Sequence, residues 1–277
     1  MSVSRQSVFS NMLWRFLERT GAQLVAFIVS IVLARILSVE EFGTIELVVV
    51  FINILNVFVD SGLGTSLVQK KDSDNIDFST VFYTNVLFCI VLYILLFFCS
   101  PLIALFYKRP ELTPIVRALG LTIVVSGVKN IQQAYVSKTL QFRKFFFATL
   151  IGTITAAIVG IWMAYHDYGV WALVAQQLTK VAVDTLVLWL TVHWHPNLVF
   201  SFERLKGLFS FGWKLLVSAL IDTVYNNLRQ LIIGKKYSAE DLAFYNKADV
   251  VNKVVVVVVE VQICGDGVAH EVDGVGN

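Results

Sequence analysis

Charged and hydrogen-bonding side chains recur inside the long apolar stretches of this sequence, and at 3.6 residues per turn they gather on one side of each stretch. Between residues 11 and 37, Arg15, Glu18, Arg19, Gln23, Ala26 and Ser30 share a face; in the next stretch, 44–59 and its edge, Glu46, Asn53, Asn56 and Asp60 do the same. Thr122, Ser126, Lys129 and Gln133 align within 115–135. Gln176, Gln177, Lys180, Asp184 and Thr191 group within 170–192, and Ser218, Asp222, Tyr225, Asn226 and Arg229 within 209–233. A charge at the centre of a bilayer costs about 2.5 to 3.5 kcal/mol, so such groups face a bundle interior or a wet cavity. Their chemistry is solvation, not bond-making: cations, carboxylates and amides arranged to replace water around a polar solute.

A plainer account exists for each stripe. Glu18 with Arg15 or Arg19, and Lys180 with Asp184, stand at the helical spacing of ion pairs. Arg15, Arg19, Arg117 and Lys214 lie near segment ends, from which they can snorkel to lipid headgroups. Polar faces on five separate segments are harder to explain this way, and together they imply a transport pathway.

Composition requires the same solvent. Of the residues 57% are hydrophobic and 15% charged, well below the roughly one quarter charged in soluble domains. Spanning a hydrocarbon core takes roughly 20 apolar residues, and about seven stretches qualify: 11–37, 44–59, 79–106, 115–135, 145–165, 170–192 and 209–233. The segment 79–106 is apolar through its first two-thirds and is expected to face lipid, with Pro101 able to kink it. Segment 145–165 carries Gly152, Ala156 and Gly160 at a spacing that admits close helix approach. The first segment is expected to stay in the protein, because Arg15, Glu18 and Arg19 interrupt the apolar core a cleavable signal needs.

Other functions find little support. A net charge of +2 gives no reason to expect nucleic acid. Cys89, Cys99 and Cys264 lack metal-ligand spacing, and no P-loop suggests nucleotide chemistry. His193 and His195, two apart, point in different directions on a helix, and Trp194 between them suits the aromatic belt at the membrane edge. No loop is long enough for the catalytic domain of a membrane glycosyltransferase.

Lysine and arginine set the orientation. Arg5, Arg15, Arg19, Lys70, Lys71, Lys138, Arg143, Lys144, Arg204 and Lys206 fall at one end of the segments, which places that end and the amino terminus in the cytoplasm. Residues 198–208 are amphipathic and basic, as expected of a helix lying in the interface. The run Ser38-Val-Glu-Glu-Phe-Gly recurs as Ser238-Ala-Glu-Asp-Leu-Ala, and Trp14-Arg15 as Trp213-Lys214. Segment 209–233 therefore reads as the first helix of a second repeat, a common transporter plan. From residue 250 a valine run gives way to glycine and acidic residues with no helical period, so 250–277 is expected to lie outside the fold.

Three runs carry a family resemblance: Trp14-Arg-Phe-Leu-Glu-Arg-Thr-Gly21, Leu33-Ala-Arg-Ile-Leu-Ser-Val-Glu-Glu-Phe-Gly43 and Asp60-Ser-Gly-Leu-Gly-Thr-Ser-Leu-Val-Gln-Lys-Lys71. They resemble the amino-terminal half of Wzx-type exporters, flippases for lipid-linked oligosaccharides in the superfamily that also holds the MATE drug exporters. Tyr135–Phe142 and the stretch 237–247 extend the likeness to about residue 249. The resemblance implies an all-α integral membrane fold: a six-helix lobe over 1–196, then an interfacial helix and the first helix of an incomplete second lobe over 197–249. It implies a non-enzymatic transporter in a bacterial inner membrane, working on polyprenyl-pyrophosphate-linked oligosaccharide beside polysaccharide polymerase and assembly proteins. On that basis Arg15, Arg19, Lys129, Lys180 and Arg229 are expected to attract the pyrophosphate, with Glu18, Asp60, Asp184 and Asp222 as charge partners or coupling sites. No cofactor is expected beyond a proton or sodium gradient. The alternatives are a MATE-like exporter of cationic drugs and a truncated product without function.

Overall fold

The computed structural model describes residue 21 and residues 23–248, apart from 61, 62, 71 and 72, and every regular element among them is an α-helix. In chain order these are α1 (Gln23–Ile36), α2 (Val39–Asp60), α3 (Leu63–Gln69), α4 (Asn75–Tyr107), α5 (Leu112–Lys138), α6 (Phe142–Tyr165), α7 (Val170–Thr191), α8 (Phe202–Lys236) and α9 over 239–248. Among the described residues, α2 continued by α3, and α4, α5, α6 and α7, make five spans long and apolar enough to cross a membrane. The two parts of α8, Phe202–Ser210 and Gly212–Lys236, meet at 46° and make a sixth if taken together. Arg15, Glu18 and Arg19, and the tail 250–277, lie outside the described residues.

Caps explain where helices begin earlier than hydrophobicity alone implies. The Ser38 N–H donates to Glu41 Oε2 at 2.7 Å while the Glu41 N–H donates to Ser38 Oγ at 3.3 Å, so α2 starts at Val39 and not at 44. The echo downstream folds the same way. The Ser238 N–H reaches Asp241 Oδ2 at 3.1 Å and the Asp241 N–H reaches Ser238 Oγ at 3.1 Å. This box starts α9, a helix where hydropathy gave only a loop.

A third box starts α4 at Asn75 and not at 79: Asp74 Oδ1 accepts from the Asp77 N–H at 3.0 Å, and Asp77 Oδ2 from the Asp74 N–H at 3.2 Å. The Asp77 N–H, and with it Arg204, holds the Asp74 carboxyl below its ordinary pKa. A depressed carboxyl stabilises the fold above the unfolded-state value and loses that contribution as pH falls through the folded one. Asp74→Ala is therefore expected to cost about 1 kcal/mol at neutral pH, the usual worth of such a cap. Thermal unfolding in detergent checks it: the gap between Asp74→Ala and the unmodified chain should shrink below about pH 4.

Glycines set how closely the helices pack. A Cβ on Gly127 of α5 would stand 2.5 Å from Cys89 Sγ of α4, and beside this contact Asn85 Nδ2 donates to the Gly127 carbonyl at 3.2 Å. On α6, Gly152 abuts Asp184 and Gly160 abuts Gln176, both on α7. The core joins Leu33 of α1, Val48 of α2, Leu119 and Ile123 of α5 and Leu173 of α7, and Leu242 of α9 closes on it. The opposite face of α4 stays open, with Phe98 73% and Leu105 72% exposed, a surface suited to hydrocarbon.

Three local expectations need correction. α4 stays helical through Pro101. The proline cannot donate to the Phe97 carbonyl, so the Ser100 hydroxyl does, at 2.8 Å, and Arg117 Nε donates in turn to Ser100 Oγ at 2.9 Å. Arg117 thus turns inward, its guanidinium 4.1 Å from the centre of the Phe97 ring, and does not snorkel. Trp194 is not a belt residue but a buried pillar, 5% exposed, donating to Asn75 Oδ1 at 2.7 Å and packed against Phe78 and Tyr135. That anchoring holds 192–201 out of helical form, so the amphipathic helix starts at Phe202, not 198, and runs on into α8.

Candidate substrate cavity

Where α1, α2, α6, α7 and α9 converge, they leave a cavity of about 250 Å³. Its polar lining comes from Ser30, Glu46, Thr153, Gln176, Gln177, Lys180, Asn246 and Lys247, set among Val29, Leu33, Phe42 and Leu173. The stripes on the first, second and sixth apolar segments meet here. Asn246 Nδ2 donates to Glu46 Oε2 at 2.9 Å, and Lys247 Nζ donates to Ser30 Oγ at 2.5 Å while standing 4.1 Å from the centre of the Phe42 ring. One buried acceptor, Asn246 Oδ1, has no hydrogen-bond partner among the described residues. An unmatched buried oxygen is costly, and a polar guest or water in the cavity is its natural partner.

The positions flanking Gly152 show why the helices come this close. A Cβ there would lie 1.8 Å from Asp184 Oδ1 and 3.2 Å from the Lys180 carbonyl, so only glycine lets α6 pass at this height. Its neighbour Thr153 lines the cavity.

A second polar centre lies one turn further along α7. Lys129 Nζ of α5 stands 3.8 Å from Asp184 Oδ2, their side chains 15% and 10% exposed. Asp184 Oδ1 has no hydrogen-bond partner among the described residues. The next residue of α5, Asn130, donates to Asp60 Oδ1 at 3.0 Å, so α5 carries two acidic contacts from different neighbours. The pairing of Asp184 therefore crosses helices: the recorded ion partner is Lys129 of α5, not Lys180 of its own helix, which is exposed and lines the cavity.

Of the nine expected site residues, Lys180 reaches the cavity, while Lys129, Asp184 and Asp60 form the neighbouring centre. Asp222 and Arg229 are exposed on α8 and belong to neither. Arg15, Arg19 and Glu18 lie outside the described residues. Reading the sequence missed Thr153, Asn246 and Lys247. The last two had a signal in the repeat, since a capped helix after Ser238 returns Asn246 to Glu46.

The family described as polysaccharide biosynthesis protein matches residues 32–263. The chain belongs to this family. It is similar to the succinoglycan biosynthesis transport protein ExoT of Rhizobium meliloti, 24% identical over 248 residues, or 90% of this chain and 50% of that one. The teichuronic acid biosynthesis protein TuaB of Bacillus subtilis is 28% identical over 197 residues, covering 69% of this chain and 40% of the relative. The lipopolysaccharide biosynthesis protein WzxC of Escherichia coli is 25% identical over 252 residues, covering 88% and 50%. The chain spans about half the length of the curated relatives it matches. No solved structure matches it. Membership of a polysaccharide biosynthesis family with a transport protein among its relatives accords with an all-helical chain carrying five or six candidate spans.

Proposed function

We propose that this chain forms one lobe, and the start of a second, of a flippase that carries polyprenyl-pyrophosphate-linked oligosaccharide across a bacterial inner membrane by alternating access. The observation that carries the reading is a cavity among membrane-spanning helices, lined by two lysines, two glutamines, a glutamate and an asparagine. A pyrophosphate head cannot cross hydrocarbon unaided, because an isolated buried ion costs tens of kcal/mol by Born solvation. Ammonium and amide groups offer that head a substitute for water, and hydroxyl-bearing sugars suit the amides. The isoprenoid tail stays in lipid. A cationic drug would meet repulsion from Lys180 and Lys247, which disfavours the MATE-like alternative.

In this reading residues 1–196 make the first lobe and 197–249 open the second, with the two serine caps marking equivalent positions. The basic end carrying Lys70, Lys138, Arg143, Lys144, Arg204 and Lys206 faces the cytoplasm, and so does the amino terminus. The Lys129–Asp184 pair, one turn along α7 from the cavity, and the Asp60–Asn130 bond beside it are the groups whose protonation or sodium binding would couple to a gradient. Moving one charge through 100 mV supplies about 2.3 kcal/mol. Polymerase and assembly proteins would receive the repeat unit on the far side. Work on the substrate is movement, not catalysis.

The test is the leaflet in which repeat units accumulate. In cells lacking their own exporter, expressing this chain together with a completed second lobe should bring lipid-linked oligosaccharide to the outer leaflet. Retention of all of it on the cytoplasmic leaflet, with the protein present in the membrane, contradicts the assignment.

A further inference from the structure

At the basic end, away from the cavity, α3 and the first turns of α8 enclose a pocket of about 470 Å³ lined by Ser66, Gln69, Lys70, Arg204, Gly207 and Leu208. We propose that this pocket binds the headgroup of an anionic membrane phospholipid. Its two cations are fixed from behind. Asp77, fully buried, accepts from Lys70 Nζ at 2.6 Å and from Arg204 Nη1 at 3.2 Å, and Arg204 Nη1 also reaches Asp74 at 2.5 Å. Both recorded bonds of the guanidinium leave from Nη1, so Nε and Nη2 have no protein acceptor among the described residues. The side chains of Lys70 and Arg204 are each 37% exposed. Lys138 joins them, donating to the Lys70 carbonyl and to Ser73 Oγ. Among the described residues the two cations lining the pocket, Lys70 and Arg204, are held by Asp74 and Asp77, and Lys138 adds a third positive charge beside them.

The surroundings select a lipid over a soluble anion. Phe202 is 73% exposed and Phe209 58%, on the face of this first part of α8 opposite to Arg204, Gly207 and Leu208, and Leu198 just before it is 95% exposed. A helix with one apolar face turned outward and the other against a cationic pocket, at the end of a bundle of membrane spans, matches an amphiphile whose phosphate sits at the headgroup level and whose chains run alongside. The 46° bend between Phe202–Ser210 and Gly212–Lys236 lays that segment away from the span it leads into. A bound headgroup would tie it to α3 and to the start of α4. The pocket shares no lining residue with the cavity, so this inference stands or falls separately from the transport reading.

Native mass spectrometry of the full chain with phosphatidylglycerol or phosphatidylcholine tests it. The chain should retain phosphatidylglycerol preferentially, and Arg204→Gln should weaken that retention about fivefold, the worth of one basic residue at an anionic surface. Gly207→Leu serves as a second variant because a Cβ there meets nothing within 4 Å, so the added side chain narrows the pocket without changing its charge. It should weaken retention as well. Equal retention of the two lipids overturns the proposal, as does unchanged retention in Gly207→Leu, which would assign binding to diffuse surface charge. Displacement of the lipid by soluble glycerol phosphate at equal concentration overturns the lipid assignment.

Discussion

A chain carrying Lys180→Gln together with Lys247→Gln is expected to bind polyprenyl-pyrophosphate oligosaccharide about a hundredfold more weakly than the unmodified protein. Hydrogen bonds to charged groups contribute about 1.5 to 3 kcal/mol each, and a factor of ten in affinity is about 1.4 kcal/mol. Losing two would give more than a hundredfold if they acted alone, but groups sharing one ligand are not additive, which sets the more modest figure. Glutamine is one atom shorter than lysine but remains polar and able to donate, so the charge is the main thing removed. Lys247 already holds Ser30 Oγ at 2.5 Å, so its replacement also loosens α9 from α1, and a separate Lys180→Gln variant isolates the electrostatic part. That single change should cost about tenfold. Titration of the detergent-solubilised protein with the pyrophosphate lipid measures both. Replacing Phe98, exposed on the apolar face of α4, should leave affinity unchanged.

The second large effect is expected from Gly43→Val, at the crossing of α2 and α9. A Cβ at this position would lie 1.9 Å from the Ala239 carbonyl oxygen and 2.3 Å from its carbon. Both partners are backbone, so no rotamer change relieves the overlap and α9 has to move. Forcing extra carbon into a filled contact costs about 1 to 3 kcal/mol. The displacement also pulls apart Asn246 and Glu46, now joined at 2.9 Å, and with them one wall of the cavity. A short thiol cross-linker between Glu46→Cys and Asn246→Cys reports this distance. Cross-linking should be efficient with Gly43 and fall several-fold with valine, accompanied by a lower unfolding temperature; unchanged cross-linking would mean that α9 does not rest on α2 as described.

Much of the architecture could be read from residues alone because its causes are local. Apolar length finds the spans, and helical spacing finds the polar faces. Caps were legible in principle: Ser38 with Glu41, and Ser238 with Asp241, have the spacing of a capping box, yet hydropathy placed the helix starts too late. What sequence could not supply is the pairing across helices. Lys180 with Asp184 has ideal intrahelical spacing, but Lys129 of α5 stands 3.8 Å from the carboxylate, and Gly152 of α6 abuts its other oxygen. Arg117 stood near a segment end and suggested snorkelling, while the carbonyl freed by Pro101 draws it inward through Ser100. Trp194 looked interfacial for the same kind of reason. Its indole N–H has a partner, Asn75, that lies far away in the chain and close in space.

The position of the cavity was the hardest part to foresee. Glu46, Gln176, Gln177 and Lys180 were visible as stripes, but which stripes meet depends on how the helices are ordered around the core. Asp222 and Arg229 form as good a stripe as any and yet stand apart from the cavity, exposed on α8.

Water access decides whether these polar faces do what is claimed for them. With Cys89, Cys99 and Cys264 replaced, single cysteines at Gln177, Glu46 and Lys180 should react in native membranes with a small, membrane-impermeant thiol reagent. A cysteine at Phe98, on the apolar face of α4, should stay unlabelled until detergent is added. If the three cavity positions stay as unreactive as Phe98 under every condition that lets the protein change conformation, the space between α1, α2, α6, α7 and α9 is dry and cannot carry a charged head.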